Sequence, residues 1–222
     1  MARTTPFLES GRPVRRHSLL KRNPGLSRAQ FSEHYEFHHG PLAARQAGFR
    51  KYTVRYIQNH VLDWPGGSDP LFDGCTQTTQ VRRDDYRTSF FSEPDYANVT
   101  DDEQYLFDIS KTVSVLGVEE IWRAGAVTTF KALLLTHEAG LDAAAFPDAS
   151  RIVMNRLDVS TASALGFGQG RFDRDALIEL WFDTEAARDQ AVRSMPTVPN
   201  APILLPVREL LIFGPEKPWT AV

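Results

Sequence analysis

Two short stretches of the chain echo each other, VEEIWRAG at residues 118–125 and VRELLIFG at residues 207–214. They share a valine, a glutamate, an aliphatic residue and the closing glycine at matching places. The segments before them also open alike, with HSLLK at 17–21 and KALLL at 131–135. Because self-similarity along a chain is the signature of a repeated structural unit, the sequence predicts two copies of one unit.

The residues around these stretches predict the order strand, helix, strand, strand, helix, strand in each half, which is the ferredoxin-like βαββαβ order of an α+β fold. Ser27 and Gln30 form a capping-box pattern that starts a helix, which runs to about His39 and ends or restarts at Gly40-Pro41. We predict strands at 16–21, 50–59, 75–81, 129–136, 151–159, 176–182 and 207–213, a strand VEEIWR that ends the segment 113–123, and a helix at 184–194 capped by Thr184.

A four-stranded sheet with helices on one face leaves its other face bare, so two such sheets must pack or curl together. We therefore predict a tail at 1–13, a site-bearing first half at 14–125 and a degenerate second half at 126–222. Residues 137–150 are too broken by Ala, Asp and Gly to predict a long helix there.

Composition excludes several classes of protein. Hydrophobic residues make up 42% of the 222 residues, charged residues 24%, and the formal net charge is −3, which is ordinary for a globular protein and does not suggest a nucleic-acid partner. No run approaches the ~18 apolar residues of a membrane helix, and no secretory signal is visible, so we expect a cytoplasmic protein with no membrane partner. Cys75 is the only cysteine, which excludes an intrachain disulfide and a Cys-based zinc site.

Four of the six histidines lie between residues 34 and 60. Histidine titrates near neutral pH and suits proton transfer. His39, just before Gly40-Pro41, is either a general acid or base in a pocket or a residue that fixes the helix end by a hydrogen bond. His34 and His38 have the i, i+4 spacing of zinc ligands, with His60 or Asp108 as a third ligand, but the sequence favours no metal at this site.

Further residues could line the same pocket. Tyr35 could donate to a developing oxyanion or simply pack in the core. In the strand 75–81, one face carries Thr76 and Thr78, and buried polar groups need partners, so a ligand or a water network is implied there unless the strand is an exposed edge. We predict His39, Tyr35 and His38 as catalytic residues and the following as substrate-binding residues: Phe31, His34, Tyr52, Tyr56, Asn59, His60, Thr76 and Thr78.

Motifs for nucleotide cofactors are missing. The glycines of GFGQG at 166–170 precede no helix pattern, so dinucleotide binding is not expected. We predict no cofactor.

The segment 19–61 resembles the opening of the EthD-like family, which belongs to the dimeric α+β-barrel superfamily. The similar features are KRNPGLS at 21–27, an aromatic at Phe31, the motif His39-Gly40-Pro41, YIQNHV at 56–61 and DDEQYLFD at 101–108. The resemblance implies two ferredoxin-like repeats that form the pseudo-dimer of a dimeric α+β barrel. It covers about the first half, and 126–214 resembles a second copy without His-x-Pro.

That family includes proteins linked to ether degradation and fungal dehydratases or decarboxylases of polyketides. The sequence and the resemblance together lead us to a small-molecule lyase that dehydrates, decarboxylates or cyclises a hydrophobic, possibly aromatic, carbonyl compound. Two alternatives stay open: a cofactor-independent monooxygenase of a phenolic substrate, and a non-catalytic small-molecule binding protein. A homodimer is also possible.

Overall fold

The computed structural model describes residues 13–63, 69–81, 90–138, 141–163, 172–194 and 202–215, and it has the predicted α+β fold. The predicted tail at 1–13 lies outside these ranges apart from its last residue. The strands are β1 (Pro13–Leu20), β2 (Thr53–Val61), β3 (Gly74–Val81), β4 (Val113–Arg123), β5 (Phe130–Thr136), β6 (Arg151–Ser163), β7 (Ala176–Phe182) and β8 (Ile203–Phe213). The helices are α1 (Arg28–His34), a π-helical turn (Tyr35–His39), α2 (Gly40–Arg45), α3 (Ala47–Tyr52), α4 (Tyr96–Leu106) and α5 (Glu185–Arg193).

The strands close into one antiparallel barrel in the order β1-β3-β2-β8-β5-β7-β6-β4. Each half contributes the same arrangement, β4-β1-β3-β2 from the first and β8-β5-β7-β6 from the second. The halves meet where β2 pairs with β8 and β4 pairs with β6. The two expected sheets therefore curl into a single ring, and this order is consistent with a tandem repeat.

An apolar cluster fills the barrel. Its members come from strands around the ring, so their side chains must point inward: Leu19, Cys75, Val115, Leu133, Leu135, Leu157, Leu177, Leu205 and Val207, joined by Phe72. Burial raises the pKa of the Cys75 thiol to about 12, so this side chain packs as a small neutral group.

Charged side chains share the barrel interior with this cluster. Lys131 is fully buried, with its ammonium 2.6 Å from Glu179 and paired also with Glu209. Arg15 lies 3.1 Å from Glu179, and the amide of Asn155 donates to the same carboxylate at 2.9 Å. Burial opposes ionisation of Glu179, but the two cations outweigh it and hold the pKa of that carboxyl well below its usual range.

The strand register corrects the alignment of the two repeats by one residue. Glu119 stands opposite Asn155, and Glu209 stands opposite Asn59, so these two glutamates are equivalent. The sequence echo at 118–125 and 207–214 would instead align Val118 with Val207, although Val118 is 43% exposed and Val207 is buried. A shift of one residue exchanges the two faces of a strand, which is why the echo cannot give the true equivalence.

Of the two predicted outcomes at the end of the first helix, the structure shows the restart at Gly40-Pro41. The capping box of Ser27 and Gln30 is present as predicted. The helix does not stop at Gly40-Pro41 but restarts there as α2, after the π-helical turn in which the Gly40 N–H donates to the Tyr35 carbonyl. This wider turn accommodates Pro41, which lacks an N–H for the normal helical bond.

The strand predicted at 50–59 begins later, at Thr53, because the preceding residues form α3. The side chain of Gln46 caps α3 by accepting from the Phe49 N–H at 2.5 Å. Phe49 and Tyr52 are both buried. Aromatic content suggested a strand, but this local cap and the burial of one helix face favour a helix.

The second half departs from the βαββαβ pattern. Between β5 and β6, the described residues contain only a 3₁₀ turn at Ala143–Ala145 in place of the first helix. Thr184 caps α5 as predicted. The loop predicted at 195–206 is shorter, since β8 already starts at Ile203, and 195–201 lie outside the described residues.

In the described ranges, no helix combines the length and the apolar character needed to cross a membrane.

Candidate functional site

A cavity of about 110 Å³, open at its mouth, lies between the outer face of the first-half strands and the helices above them. It therefore lies outside the barrel interior, and four predicted site residues line it: His39, Tyr56, Thr76 and Thr78. Its walls are mainly apolar, with a few polar groups, as is typical of small-molecule sites. The lining residues are Arg16, Ser18, Leu20, His39, Ala43, Gln46, Phe49, Tyr56, Thr76, Thr78, Gln80, Phe90, Phe91, Tyr96, Val99, Glu103 and Phe107.

The sheet supplies the polar floor of this cavity. Thr78 stands between Arg16 on β1 and Tyr56 on β2, and Thr76 stands opposite Ser18. Period-2 alternation places these side chains on the outer face, while their sequence neighbours point into the barrel. The polar strand β3 is thus central and pairs with both β1 and β2, which excludes the alternative of an exposed edge strand.

His39 lies in the wall of the cavity and is held by a carboxylate. Its Nδ1 is 2.7 Å from Oδ2 of Asp102, a residue of α4. His39 is only 5% exposed, and its ring contacts Phe107 edge-on at 5.3 Å. The hydrogen bond to Asp102 fixes the orientation of the imidazole ring of His39. Because Asp102 occupies Nδ1, Nε2 is the nitrogen that can accept a proton from a ligand.

Asp102 also binds the other two histidines of the helix. His34 Nε2 is 2.6 Å from Oδ1 of Asp102, and His38 Nε2 is 3.6 Å from the same atom. Burial opposes ionisation of Asp102, but the hydrogen bonds from His39 and His34 hold its pKa below its usual value. If His34 and His38 held a metal ion, the residue close enough to be a third ligand would be Asp102. The sequence suggested His60 or Asp108 for that place. His34 does not line the cavity, and the His38 side chain is 62% exposed.

Glu103, the next residue of α4, lines the cavity. Burial raises the pKa of its carboxyl to about 7, and the negative charge of Asp102 adds to this effect. At neutral pH this side chain is therefore protonated in about half of the molecules, so it can donate a proton. The cavity thus contains one imidazole fixed by a carboxylate and one carboxylic acid of nearly neutral pKa, the combination found in acid–base sites.

The two tyrosines near the floor stay neutral. Burial raises the pKa of both Tyr35 and Tyr56. Tyr56 lines the cavity, and its hydroxyl accepts from the Gln58 amide at 2.9 Å. Tyr35 lies behind the wall, where its hydroxyl is 2.5 Å from the Thr76 hydroxyl. Tyr35 therefore touches the site through Thr76 and does not line it.

Besides His34, four predicted substrate-binding residues lie away from the cavity. Asn59 points into the barrel, where its amide donates to Gln77 at 3.0 Å. His60 is buried under α1, with Nδ1 2.7 Å from the Ser32 hydroxyl, and burial lowers its pKa to about 4, so it is neutral. Two aromatic residues, Phe31 and Tyr52, pack in the core instead.

The structure also brings in three residues that sequence reasoning did not place in the site: Asp102, Glu103 and Arg16. The motif DDEQYLFD contains Asp102 and Glu103. Which of its side chains faces the histidines depends on how α4 packs on the sheet, and the sequence alone does not show this. Arg16 lies in a strand that the sequence predicted. The alternation of side chains between the two faces of that strand could have placed Arg16 on the outer face with Ser18.

The second half has a different cavity of about 210 Å³ beneath α5. It is lined by apolar residues such as Leu180, Phe182 and Leu204, with Asp148 and Gln190 among its few polar members. In the described residues it contains no histidine, so the acid–base groups belong to the first-half cavity.

A closed eight-strand barrel with helices on its outer face is the architecture of the dimeric α+β-barrel class. An anthrone oxidase-like protein has this fold, with a TM-score of 0.56 and 11% identity over 97% of this chain and 98% of that one. A candidate monooxygenase of Lactobacillus acidophilus NCFM is similar at a TM-score of 0.45 and 9% identity, with 90% and 95% of the two chains covered.

Residues 23–110 match the family model of the EthD domain. The matched segment includes the histidine cluster, the polar strand β3 and both acidic residues of α4. No curated protein matches the sequence.

Proposed function

We propose that the protein is a lyase that removes water from a small, hydrophobic, aromatic carbonyl compound by acid–base catalysis. The observation that carries the proposal is the presence, in one mainly apolar cavity, of His39 oriented by Asp102 and of Glu103 with a pKa of about 7. An elimination needs both a base and an acid, and this site has one of each.

In this reaction Nε2 of His39 takes the proton from the carbon next to the carbonyl of a β-hydroxy ketone. The electron pair of that C–H bond forms the new double bond. The C–O bond breaks as the carboxylic acid of Glu103 protonates the leaving hydroxyl, and water departs. The hydroxyl of Tyr56, which keeps its proton, donates to the carbonyl oxygen as negative charge develops there. A proton returns from His39 to Glu103 through solvent.

A second candidate is a cofactor-independent monooxygenase of a phenolic substrate. It begins with deprotonation of the phenol to an anion that carries part of its negative charge on a ring carbon, and this carbon then reacts with oxygen. With anthrone as substrate, one oxygen atom stays on that carbon as a new carbonyl group and the other leaves as water. The apolar wall formed by Phe49, Phe90, Phe91 and Phe107 supports it, because oxygen dissolves well in apolar surroundings. The fold that the chain shares with an anthrone oxidase-like protein also favours this candidate.

Deuterium exchange tests the step that both candidates share. The aryl ketones 1-indanone, 1-tetralone and anthrone are incubated in D₂O. NMR follows loss of the C–H proton next to the carbonyl of the first two, and loss of the C10 proton of anthrone, which is acidic through the conjugated rings. We expect His39→Gln to slow exchange by about 10²-fold or more, the usual effect of losing a general base. The control is His137→Gln, an exposed histidine of the second half with Asp175 at 3.9 Å. Full exchange by His39→Gln would overturn the proposal.

Two further measurements separate the candidates. Oxygen uptake with anthrone, without added flavin or metal, would favour the monooxygenase, whereas loss of water from β-hydroxy aryl ketones would favour the lyase. In the lyase reaction the rate should fall above pH 7 as Glu103 loses its proton. Glu103→Gln should abolish this fall and lower the maximal rate, and an unchanged pH profile would exclude Glu103 as the acid.

A further inference from the structure

Among the described residues, the guanidinium in the cavity floor has no counter-ion. Arg16 is half-buried, and its guanidinium donates one hydrogen bond, to the Ser114 hydroxyl at 3.0 Å. Within the described part of the chain, no carboxylate lies within salt-bridge distance of it. Its neighbour Arg15 is different, because it points into the barrel and pairs with Glu119 and Glu179.

A buried hydroxyl without a partner lies beside this cation. Thr78 is 4% exposed, and among the described residues its Oγ1 has no hydrogen-bond partner. It stands directly opposite Arg16 across the β1–β3 pairing, which places the two Cβ atoms about 4.5–5.5 Å apart. A buried polar group without a partner costs free energy, so such a group in a cavity indicates a ligand atom that satisfies it.

We propose that Arg16 and Thr78 bind the carboxylate of the substrate, which is therefore an aromatic carboxylic acid. A guanidinium matches a planar carboxylate with two parallel N–H donors, and the threonine hydroxyl can donate to one of its oxygens. One cation balances one negative charge, which suits a monocarboxylate better than a phosphate. The mainly apolar wall above the floor suits the ring system.

This carboxylate site depends on the proposed function in one respect only, which is that the part of the substrate that reacts lies near His39 and Glu103. A carboxylate held by a guanidinium is stabilised as an anion, whereas decarboxylation draws electrons away from it. The bound carboxylate therefore serves as a handle that orients the ring, and the chemistry takes place elsewhere on the substrate.

Binding measurements test this without any turnover. The probes are benzoate, 2-naphthoate and 9-anthracenecarboxylate, each compared with its neutral carboxamide by isothermal titration calorimetry. We expect the wild type to bind at least one carboxylate about tenfold to a hundredfold more tightly than its amide, the usual range for a hydrogen bond to a charged group. Arg16→Gln should remove this preference, Arg16→Lys should retain part of it, and Thr78→Val should reduce it several-fold.

The matched control is Arg156→Gln, an exposed arginine of the second half that pairs with Glu138. It should leave the preference unchanged, and circular dichroism should show that all variants are folded. Equal binding of acids and amides, failure of every carboxylate to bind, or an unchanged preference in both Arg16→Gln and Thr78→Val would overturn the proposal. A carboxylate preference without proton exchange would instead contradict the proposed function and leave this anion site standing.

Discussion

Lys131→Met should destabilise the protein strongly, because it removes the central cation of the barrel interior. Lys131 is completely buried and touches two carboxylates, Glu179 and Glu209. Its ammonium also lies 4.5 Å from the ring centre of Trp181. Without it, Glu179 remains 1% exposed with Arg15 as its only cation among the described residues. Breaking a buried ion pair on one side costs about 3–5 kcal/mol. For a chain of this length, that corresponds to a fall in Tm of about 10 °C.

Urea unfolding and calorimetry measure this loss, and a double-mutant cycle shows its origin. Lys131→Met combined with Glu179→Gln should be more stable than Lys131→Met alone, because the second change removes the uncompensated buried charge. The exposed pair Arg156 and Glu138 gives the control, since Arg156→Met should cost less than about 1 kcal/mol. The reasoning fails if Lys131→Met unfolds within about 1 kcal/mol of the wild type, or if adding Glu179→Gln destabilises it further.

Two other substitutions follow from the structure. Burial lowers the pKa of His17 from 6.5 to about 3, so the unfolded chain binds more protons below pH 6.5 and stability should fall as the pH drops from 6.5 toward 3. His17→Leu, which copies the equivalent Leu133, should flatten this fall in urea midpoints, and an unchanged slope would contradict the assignment. Gly48→Ala should cost about 1–3 kcal/mol, because the new Cβ would lie 2.7 Å from the Phe90 carbonyl oxygen in the cavity wall. Gly25→Ala, whose Cβ meets nothing closer than 3.4 Å, is its control and should unfold almost as the wild type does.

The sequence predicted the strands better than the site. The sequence predicted features that depend on neighbouring residues, such as the capping box of Ser27 and Gln30 and the polar strand β3. Asp102 could not be found in this way, because it is 63 residues from His39 in sequence and reaches it only when α4 packs beside the π-helical turn. The raised pKa of Glu103 likewise depends on burial and on the charge beside it.

The sequence also could not give the register of the strand pairing between the two halves. The echo between the halves indicated the repeat, but matching letters do not show which way a side chain points. The pairing of β2 with β8 and of β4 with β6 settles this, because Glu119 and Glu209 each face an asparagine of the other half. With that equivalence fixed, the floor of the cavity can be compared residue by residue with the second half.

The comparison shows how the outer faces of the two halves differ. Six polar positions in the floor of the first-half cavity are apolar at the equivalent places in the second half. The pairings place Ala132, Leu134, Ile152, Ile178, Leu180 and Phe182 where the first half has Arg16, Ser18, Tyr56, Thr76, Thr78 and Gln80. The apolar set forms a continuous core with α5 and the turn before β6. Covering the polar set as tightly would remove the Arg16 guanidinium from water and would leave the Thr78 hydroxyl, which has no hydrogen-bond partner among the described residues, permanently unsatisfied. An unsatisfied buried hydroxyl costs about 1–3 kcal/mol. The helices of the first half enclose a cavity over the polar floor, and a ligand that binds the folded protein there should raise its free energy of unfolding by an amount that grows with the logarithm of the ligand concentration divided by its Kd.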